Sequence, residues 1–367
     1  MSLFSDFVTT MKAASAKRIC KIQILDGLEN VVSEITRDLI SGDLQMSDNL
    51  GARRNCNLSL DNSKGLYTPD PEKLFWINSK IKVFSGHIVN GEPYYVSRGI
   101  FVTGEPEVTS KLSDKSMSVQ LYDKWVLLEN PLKNDYIIPV GTSIQAAIKG
   151  VFQEAGEVKV PIIYPTNEIS PYTLIVSAGE TFADILIKLS QMLSYTCYFD
   201  NDGFPRFEPQ PDYLTKGVVW EFKTTEVNYL GSSRRFEFSK VKNFIKILGD
   251  NVNGVLVSAT SSDTNPNSPT RVDLIGEKVE VITDDLISTV NLCEQRAAYE
   301  LLNRISIVES VDVESIPIDI IEGGSVISIV DSGNGLNDRY LVKSVSFPLL
   351  NDGQMSMNVW KGRQIWE

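Results

Sequence analysis

Between Thr283 and Trp360 the hydrophobic period of the chain changes part-way, from helical to alternating. Thr283, Asp284 and Asp285 supply capping oxygens and negative charge for a helix start. Leu286, Val290, Cys293, Ala297 and Leu301 then recur at helical spacing, a stripe that must be covered. After Ile305 the pattern turns to short β-runs. Val311-Asp312-Val313 leads to Pro317, Glu322-Gly323-Gly324 turns, and Val326 to Val330 is β-rich. Gly333-Asn334-Gly335 and Asn351-Asp352-Gly353 are further turns around Arg339-Tyr340-Leu341-Val342 and the alternating Met355-Ser356-Met357-Asn358-Val359. A helix followed by an antiparallel meander is the local reading.

Similar runs fill the front of the chain. Cys20, Ile22 and Ile24 alternate with polar neighbours, as do Asn55-Cys56-Asn57-Leu58-Ser59-Leu60 and Ser116-Met117-Ser118-Val119-Gln120-Leu121. Ile81-Lys82-Val83-Phe84, the turn Asn90-Gly91 and Ile100-Phe101-Val102 lie between them, so a sheet or small barrel is expected. Ahead of it, Phe4, Phe7, Val8, Met11 and Ala14 line one face of a short helix that either docks on its own domain or serves as a partner-binding arm. After Tyr122-Asp123-Lys124-Trp125 the period changes to helical. Thr142-Ser143-Ile144-Gln145 reads as a capping box before Ile144, Ala147, Ile148, Val151, Phe152 and Ala155, with Gly156 as the stop. Ser177-Ala178-Gly179-Glu180 reads as a second box before Phe182, Ile185, Leu186, Leu189, Met192 and Leu193. Tyr195 to Phe199, the turn Asn201-Asp202-Gly203 and Arg206-Phe207 make a hairpin. Trp220-Glu221-Phe222, Arg235 to Phe238 and Asn243 to Gly249 return to strands, and Ser258 to Pro269 reads as an exposed loop.

The order of these motifs resembles that of the phage tail hub proteins, the late control D and baseplate-hub family. At the end of the chain the resemblance lies in the proline, the Gly-Gly turn, "Arg-Tyr-Leu-Val-Lys-Ser-Val-Ser" and "Asp-Gly-Gln-Met-Ser-Met". At the front it lies in "Gly51-Ala52-Arg53-Arg54", "Ile81-Lys82-Val83-Phe84-Ser85-Gly86" and "Gly99-Ile100-Phe101-Val102". The helix and hairpin from Gly179 to Gly203 are similar to the middle domain of that family. The fold implied is α+β and mainly β: two tail-tube-like β-barrel domains with an inserted α+β domain and a small helix/loop insertion. The boundaries read as 1–125 for the first barrel, 126–215 for the α+β domain, 216–250 with 306–367 for the second barrel, and 251–305 for the loop-and-helix insertion. Two similar β-units flanking an insertion are what pseudo-equivalent barrels require.

Composition agrees with globular cores, at 42% hydrophobic and 22% charged over 367 residues, a length for about two to four domains. The formal net charge of −12 disfavours a general nucleic-acid-binding face and permits an acidic channel. Cys20, Cys56, Cys197 and Cys293 are widely spaced, without a Cys-x-x-Cys pair, so buried free thiols and folding in a reducing cytoplasm are expected. No run approaches the roughly 18 apolar residues of a membrane span, and Met1 to Lys12 lacks the pattern of a signal peptide.

No catalytic, cofactor or metal residue is expected. His87 is the one histidine and follows Ser85-Gly86 at a strand end, without a nucleophile motif, so an ordinary strand-edge or interface residue is expected. Asp200-Asn201-Asp202-Gly203 starts like a calcium loop, but Pro211 stands where the closing Glu belongs, so a hairpin turn is expected. Asp284-Asp285 reads as a helix cap rather than an acid–base pair. Arg53, Arg54, Arg234 and Arg235 are either solvated rim charges or contacts to an acidic partner surface. The resemblance implies a structural hub: a homotrimer adapting a hexameric tail tube or distal tail protein to a trimeric spike or tip protein, beside a tape measure protein. DNA passes its lumen without specific binding, in a virion or a contractile injection machine, and the chain makes no membrane insertion of its own. A second reading is a carbohydrate-binding or carbohydrate-cleaving tip protein, on account of Trp76, Tyr94, Tyr95, Tyr195 and Tyr198.

Overall fold

A computed structural model of the chain describes residues 3–13, 16–193, 195–209, 215–252, 255–284, 289–304, 308–350 and 353–361. The chain opens with helix α1 (Leu3–Met11), whose Phe7 and Met11 are buried while Phe4 stays exposed. Phe7 packs on Tyr94 with ring centroids 4.4 Å apart, so the helix is a docked terminal element of its own domain. Strands β1 (Arg18–Leu25), β2 (Val31–Ile35), β3 (Leu39–Ser47), β4 (Arg54–Asp61), β5 (Lys80–Val89), β6 (Glu92–Ser110) and β7 (Lys115–Asp123) follow. Their order across the sheet is β3-β4-β7-β6-β5-β1-β2. The period of two does the sorting: Cys56, Leu58 and Leu60 of β4 and Met117, Val119 and Leu121 of β7 all face the core. Asn90 and Gly91 both take positive φ, +52° and +87°, as the two-residue β5–β6 hairpin requires.

The middle region holds β8 (Tyr136–Ile138), α2 (Ile144–Glu154), β9 (Ile162–Ile163), β10 (Leu174–Val176), α3 (Phe182–Leu193), β11 (Tyr195–Phe199) and β12 (Pro205–Pro209). It has its own core, in which Ile148, Val151 and Phe152 of α2 meet Ile185, Leu186 and Leu189 of α3 and Cys197, Phe199 and Phe207 of the hairpin. The helix stripes lie where the spacing placed them, but the caps do not. α2 begins at Ile144, so Gln145 is too near the start to reach back, and its Nε2 donates to the Thr166 carbonyl at 3.0 Å. For α3, Glu180 does reach the Ser177 N–H at 2.7 Å, but the helix starts later, at Phe182. Thr181 and Asp184 form the reciprocal box there, with N–H···O distances of 2.8 and 3.1 Å.

Then come β13 (Val218–Lys223), β14 (Tyr229–Glu237), β15 (Phe244–Val252), β16 (Val255–Ser262), α4 (Val272–Ile275), β17 (Val279–Thr283), α5 (Val290–Arg304), β18 (Val308–Ser315), β19 (Val326–Asp331), β20 (Leu336–Pro348) and β21 (Met355–Trp360). β15, read with the second barrel in the sequence, pairs instead with β16 and β17 in a separate small sheet under α5. Cys293, Ala297 and Leu301 of α5 cover Ile245 and Ile247 of β15. Thr283 ends β17 rather than opening the helix, and Asp285 and Leu286 lie outside the described residues. The expected loop from Ser258 to Pro269 is strand as far as Ser262. Beyond it, the buried Asp263 carboxylate gathers the Ser268 and Thr270 hydroxyls at 2.5 and 2.8 Å, so the turn is an ordered polar knot.

The remaining strands run β14-β18-β21-β20-β19-β13, the same order as β3-β4-β7-β6-β5-β1. The two barrels thus repeat one plan, except that β13 runs parallel to β19 where β1 runs antiparallel to β5. They meet edge to edge through β20 and β3, which makes one 13-stranded sheet with a shared core.

Candidate assembly site

The two barrels are joined through β20 and β3. Ser344 to Pro348 of β20 pair antiparallel with Ser47 to Asp43 of β3. Gln45 Nε2 donates to Ser346 Oγ at 2.8 Å across the joint, and the Leu349 N–H reaches the Gly42 carbonyl at 2.8 Å. Gly323 lies so close that a Cβ would meet the Ser47 carbonyl at 2.3 Å. No larger residue fits there without moving backbone.

Behind the joint lies a buried charge cluster. Asp319, just before β19, has no exposed surface. It accepts a hydrogen bond from Ser85 Oγ, and its Oδ2 lies 2.9 Å from His87 Nε2. Its carbonyl accepts from Arg98 Nη1 at 2.8 Å, and the guanidinium groups of Arg98 and Arg18 lie over the Phe347 ring at 4.0 and 4.9 Å. Burial opposes ionisation of Asp319, but the His87 hydrogen bond and the charges of Arg98 and Arg18 hold its carboxyl below the usual range. The cluster ties the first barrel to the second. Of the two readings the sequence left open for His87, strand edge or interface, the structure has the second, within the chain. His87 is buried, and Ser85 bonds to Asp319 rather than to the imidazole, so the three do not form a nucleophile relay.

A second junction brings the α+β domain against both barrels, around a cleft of about 540 Å³. Arg53 and Arg54 stand at its centre. Arg53 lies flat on the Tyr198 ring at 3.5 Å and donates to Thr196 Oγ1 at 3.0 Å and to the Asn49 carbonyl at 2.8 Å. Arg54 donates to the Phe199 carbonyl at 2.8 Å and to Glu322 at 3.2 Å, and so touches all three domains. The Asp123 carboxylate orders the start of β4 through the backbone N–H groups of Arg53 and Arg54. Glu29, at the β1–β2 turn with φ +66°, accepts from Lys124 at 2.5 Å and from Lys80 and Lys159 at 3.0 Å each. Burial pushes the Glu29 carboxyl up, but the three ammonium groups outweigh it and bring it down to about 2.

The second arginine pair divides. Arg234 is engaged by the Glu309 carboxylate at 3.0 and 2.9 Å, whereas the Arg235 side chain is 69% exposed, with Asp312 at 4.0 Å. The Asp200–Gly203 stretch forms the β11–β12 turn, its Oδ1 accepting from the N–H groups of Asp202 and Phe204. Among the described residues no group of three or more His, Cys, Asp or Glu is placed to hold a metal. Nor is any helix among them long and apolar enough to cross a membrane. The four cysteines are free and buried, and burial pushes the Cys20 thiol up to about 12. The aromatic residues considered for sugar binding are dispersed. Tyr94 packs on Phe7, Tyr195 on Phe207, Tyr198 under Arg53 and Tyr95 under Lys21, while Trp76 is exposed. What the sequence could not show was Asp319, whose partners lie more than two hundred positions away.

This fold is shared with solved phage tail proteins. The tail protein from Neisseria meningitidis MC58 superposes with a TM-score of 0.67 at 12% identity, covering 95% of this chain and 98% of that one. The 43 kDa tail protein of prophage MuSo2 from Shewanella oneidensis gives 0.68 at 13% identity, over 94% and 98%. The E. coli c3393 protein, a type VI secretion component described as similar to bacteriophage T4 tail proteins gp27 and gp5, gives 0.51 at 11% identity, over 92% and 76%. No family model and no curated protein matches the sequence.

Proposed function

We propose that this chain is the central hub of a phage tail tip or baseplate, or of a related injection machine. Three copies form a ring that docks a hexameric tail tube or distal tail protein on one face and holds a trimeric spike on the other. One observation carries the reading: two barrels of the same strand order sit side by side in one chain, joined edge to edge. A threefold assembly can meet a sixfold tube only if each subunit offers two similar surfaces. On this reading residues 1–125 and 216–240 with 305–367 are the two ring units, 126–215 is the α+β unit, and 241–304 decorates the second barrel. The acidic excess, 47 Asp and Glu against 35 Lys and Arg, suits a lumen that DNA passes without sticking, with a tape measure protein threaded through it during assembly. The function is structural, without turnover, in the virion tail. The burial of Ser85, His87 and Asp319 away from any substrate supports this. Antibody labelling of purified particles tests it: the expected label is at the tail tip, and label on the head or along the tube contradicts it.

A further inference from the structure

The repeated strand plan fixes more than a likeness, because it carries one joint onto another. β3 corresponds to β14, β4 to β18, β7 to β21, β6 to β20 and β5 to β19. The registers agree along β3-β4-β7-β6 and β14-β18-β21-β20, whereas β5 shifts against β6 between Val83 and Phe84 and β19 runs against β20 without a shift. β3 breaks register between Leu39 and Ser41, and β14 between Tyr229 and Gly231. β6 breaks against β7 between Thr103 and Pro106, and β20 breaks against β21 between Val342 and Ser344. Val102 opposite Tyr122 matches Leu341 opposite Trp360, and Met46 opposite Arg54 matches Phe236 opposite Glu309.

Within the chain, the far half of β20 is paired by β3. Its counterpart, the far half of β6 from Glu105 to Thr109, pairs β7 on one side, and β5 stops at Val102 on the other. The counterpart of β3 is β14, which pairs β18 on one side and ends the sheet on the other. Among the described residues both edges are open. Open edges invite another strand.

We propose that β14 of one copy pairs antiparallel with Glu105–Thr109 of β6 in a second copy of this chain, repeating between copies the joint that β3 and β20 make within one. This rests on the hub reading and names its interface. The internal register carries over to Glu105 opposite Glu237, Pro106 opposite Phe236, Glu107 opposite Arg235, Val108 opposite Arg234 and Thr109 opposite Ser233. The side chains then complement each other. Arg235 takes the place of Gln45 and Glu107 that of Ser346, so the internal hydrogen bond becomes an ion pair between copies. Both groups are exposed in the single chain, and Arg235 has only a contact at 4.0 Å to exchange. Phe236, 44% exposed, gains Pro106 and Val108 as cover. Glu105 meets Glu237, whose carboxylate Lys240 already holds. Pro106 brings no N–H to its edge, so the joint has fewer ladder bonds than its internal counterpart and leans on the Glu107–Arg235 pair. Because the two edges differ, the contact is head-to-tail and continues beyond a dimer, and the threefold closure is the part that the hub reading supplies.

The test is a disulfide trap in the full-length chain carrying Glu107→Cys and Arg235→Cys. Residues directly opposite in an antiparallel pair bring their Cβ atoms within about 5 Å, inside disulfide range or nearly so. Mild oxidation is expected to give covalent dimers and a closed covalent trimer that reductant dissolves, while either cysteine alone gives none. Arg235→Glu is expected to abolish association seen by sedimentation, and Glu107→Arg added to it to restore association, with unchanged circular dichroism throughout. Rings that form without the cross-link and without charge-swap rescue overturn this joint and leave the hub reading standing. A chain that stays monomeric and uncross-linked under oxidation overturns the joint, and only a particle lacking threefold hub density overturns the reading beneath it.

Discussion

Nζ of Lys124, a side chain with no exposed surface, lies 2.5 Å from Oε1 of Glu29. Glu29 in turn draws Lys80 and Lys159, so one carboxylate links the β1–β2 turn, β5 and the segment after α2. Its pKa falls from 4.5 to about 2 on folding. A depressed carboxyl pKa contributes stability that is present above the unfolded value and lost as pH falls through the folded one. Stability from this group should therefore drain away between pH 4.5 and about 2. Glu29→Gln is expected to lower the melting temperature at pH 7 and to flatten the acid limb of the stability profile. Wild-type stability at pH 7 in this variant would refute the linkage.

Asp319 is the counter-charge for Arg98 and Arg18 in the core between the barrels. Removing one member of a buried charge cluster costs about 3–5 kcal/mol, because the remaining charges stay desolvated. Asp319→Ala should show a loss of that size in urea unfolding. A loss below about 1 kcal/mol would mean that the cluster is hydrated in solution and does not hold the barrels together.

Leu186 has no exposed surface and sits among α2, α3 and the β11–β12 hairpin. An unpaired carboxylate there costs several kcal/mol, on the order of a whole domain's stability. Leu186→Asp is expected to make residues 126–215 sensitive to protease while the barrels stay resistant. Unchanged resistance of the middle region would contradict the separate core.

Gly323 lies against the backbone of Ser47, where an added Cβ approaches to 2.3 Å. Gly323→Ala should cost about 1–3 kcal/mol by forcing the β3–β20 joint apart. Hydrogen exchange should report it as faster opening of the amides around Ser47 and Gly324. Slower or unchanged exchange there would show that the two backbones yield without strain.

Much of this architecture is legible in the chain, since a strand with one buried face must alternate: Cys56, Leu58 and Leu60 announce β4, as Met117, Val119 and Leu121 announce β7. Helix stripes such as Ile144, Ile148 and Val151 are equally plain. Caps are less legible, because Ser177/Glu180 and Thr181/Asp184 offer overlapping boxes and only packing decides which one starts the helix. The run from Phe244 to Leu248 declares a strand but not which sheet will take it. Arg53 and Arg54 stand out as a pair, yet nothing local shows that Tyr198, Phe199 and Glu322 would receive them. Asp319 is invisible for the same reason: its meaning lies in residues of the other barrel.

On the proposed function one chain supplies two of six tube-facing units. Electron cryomicroscopy of the assembled tail tip tests it most directly. The expected density shows three copies of this chain in a ring, with both barrels at the same radius and six units beneath a sixfold tube. Six copies, a single copy, or a lumen lined mainly by Lys and Arg would contradict it.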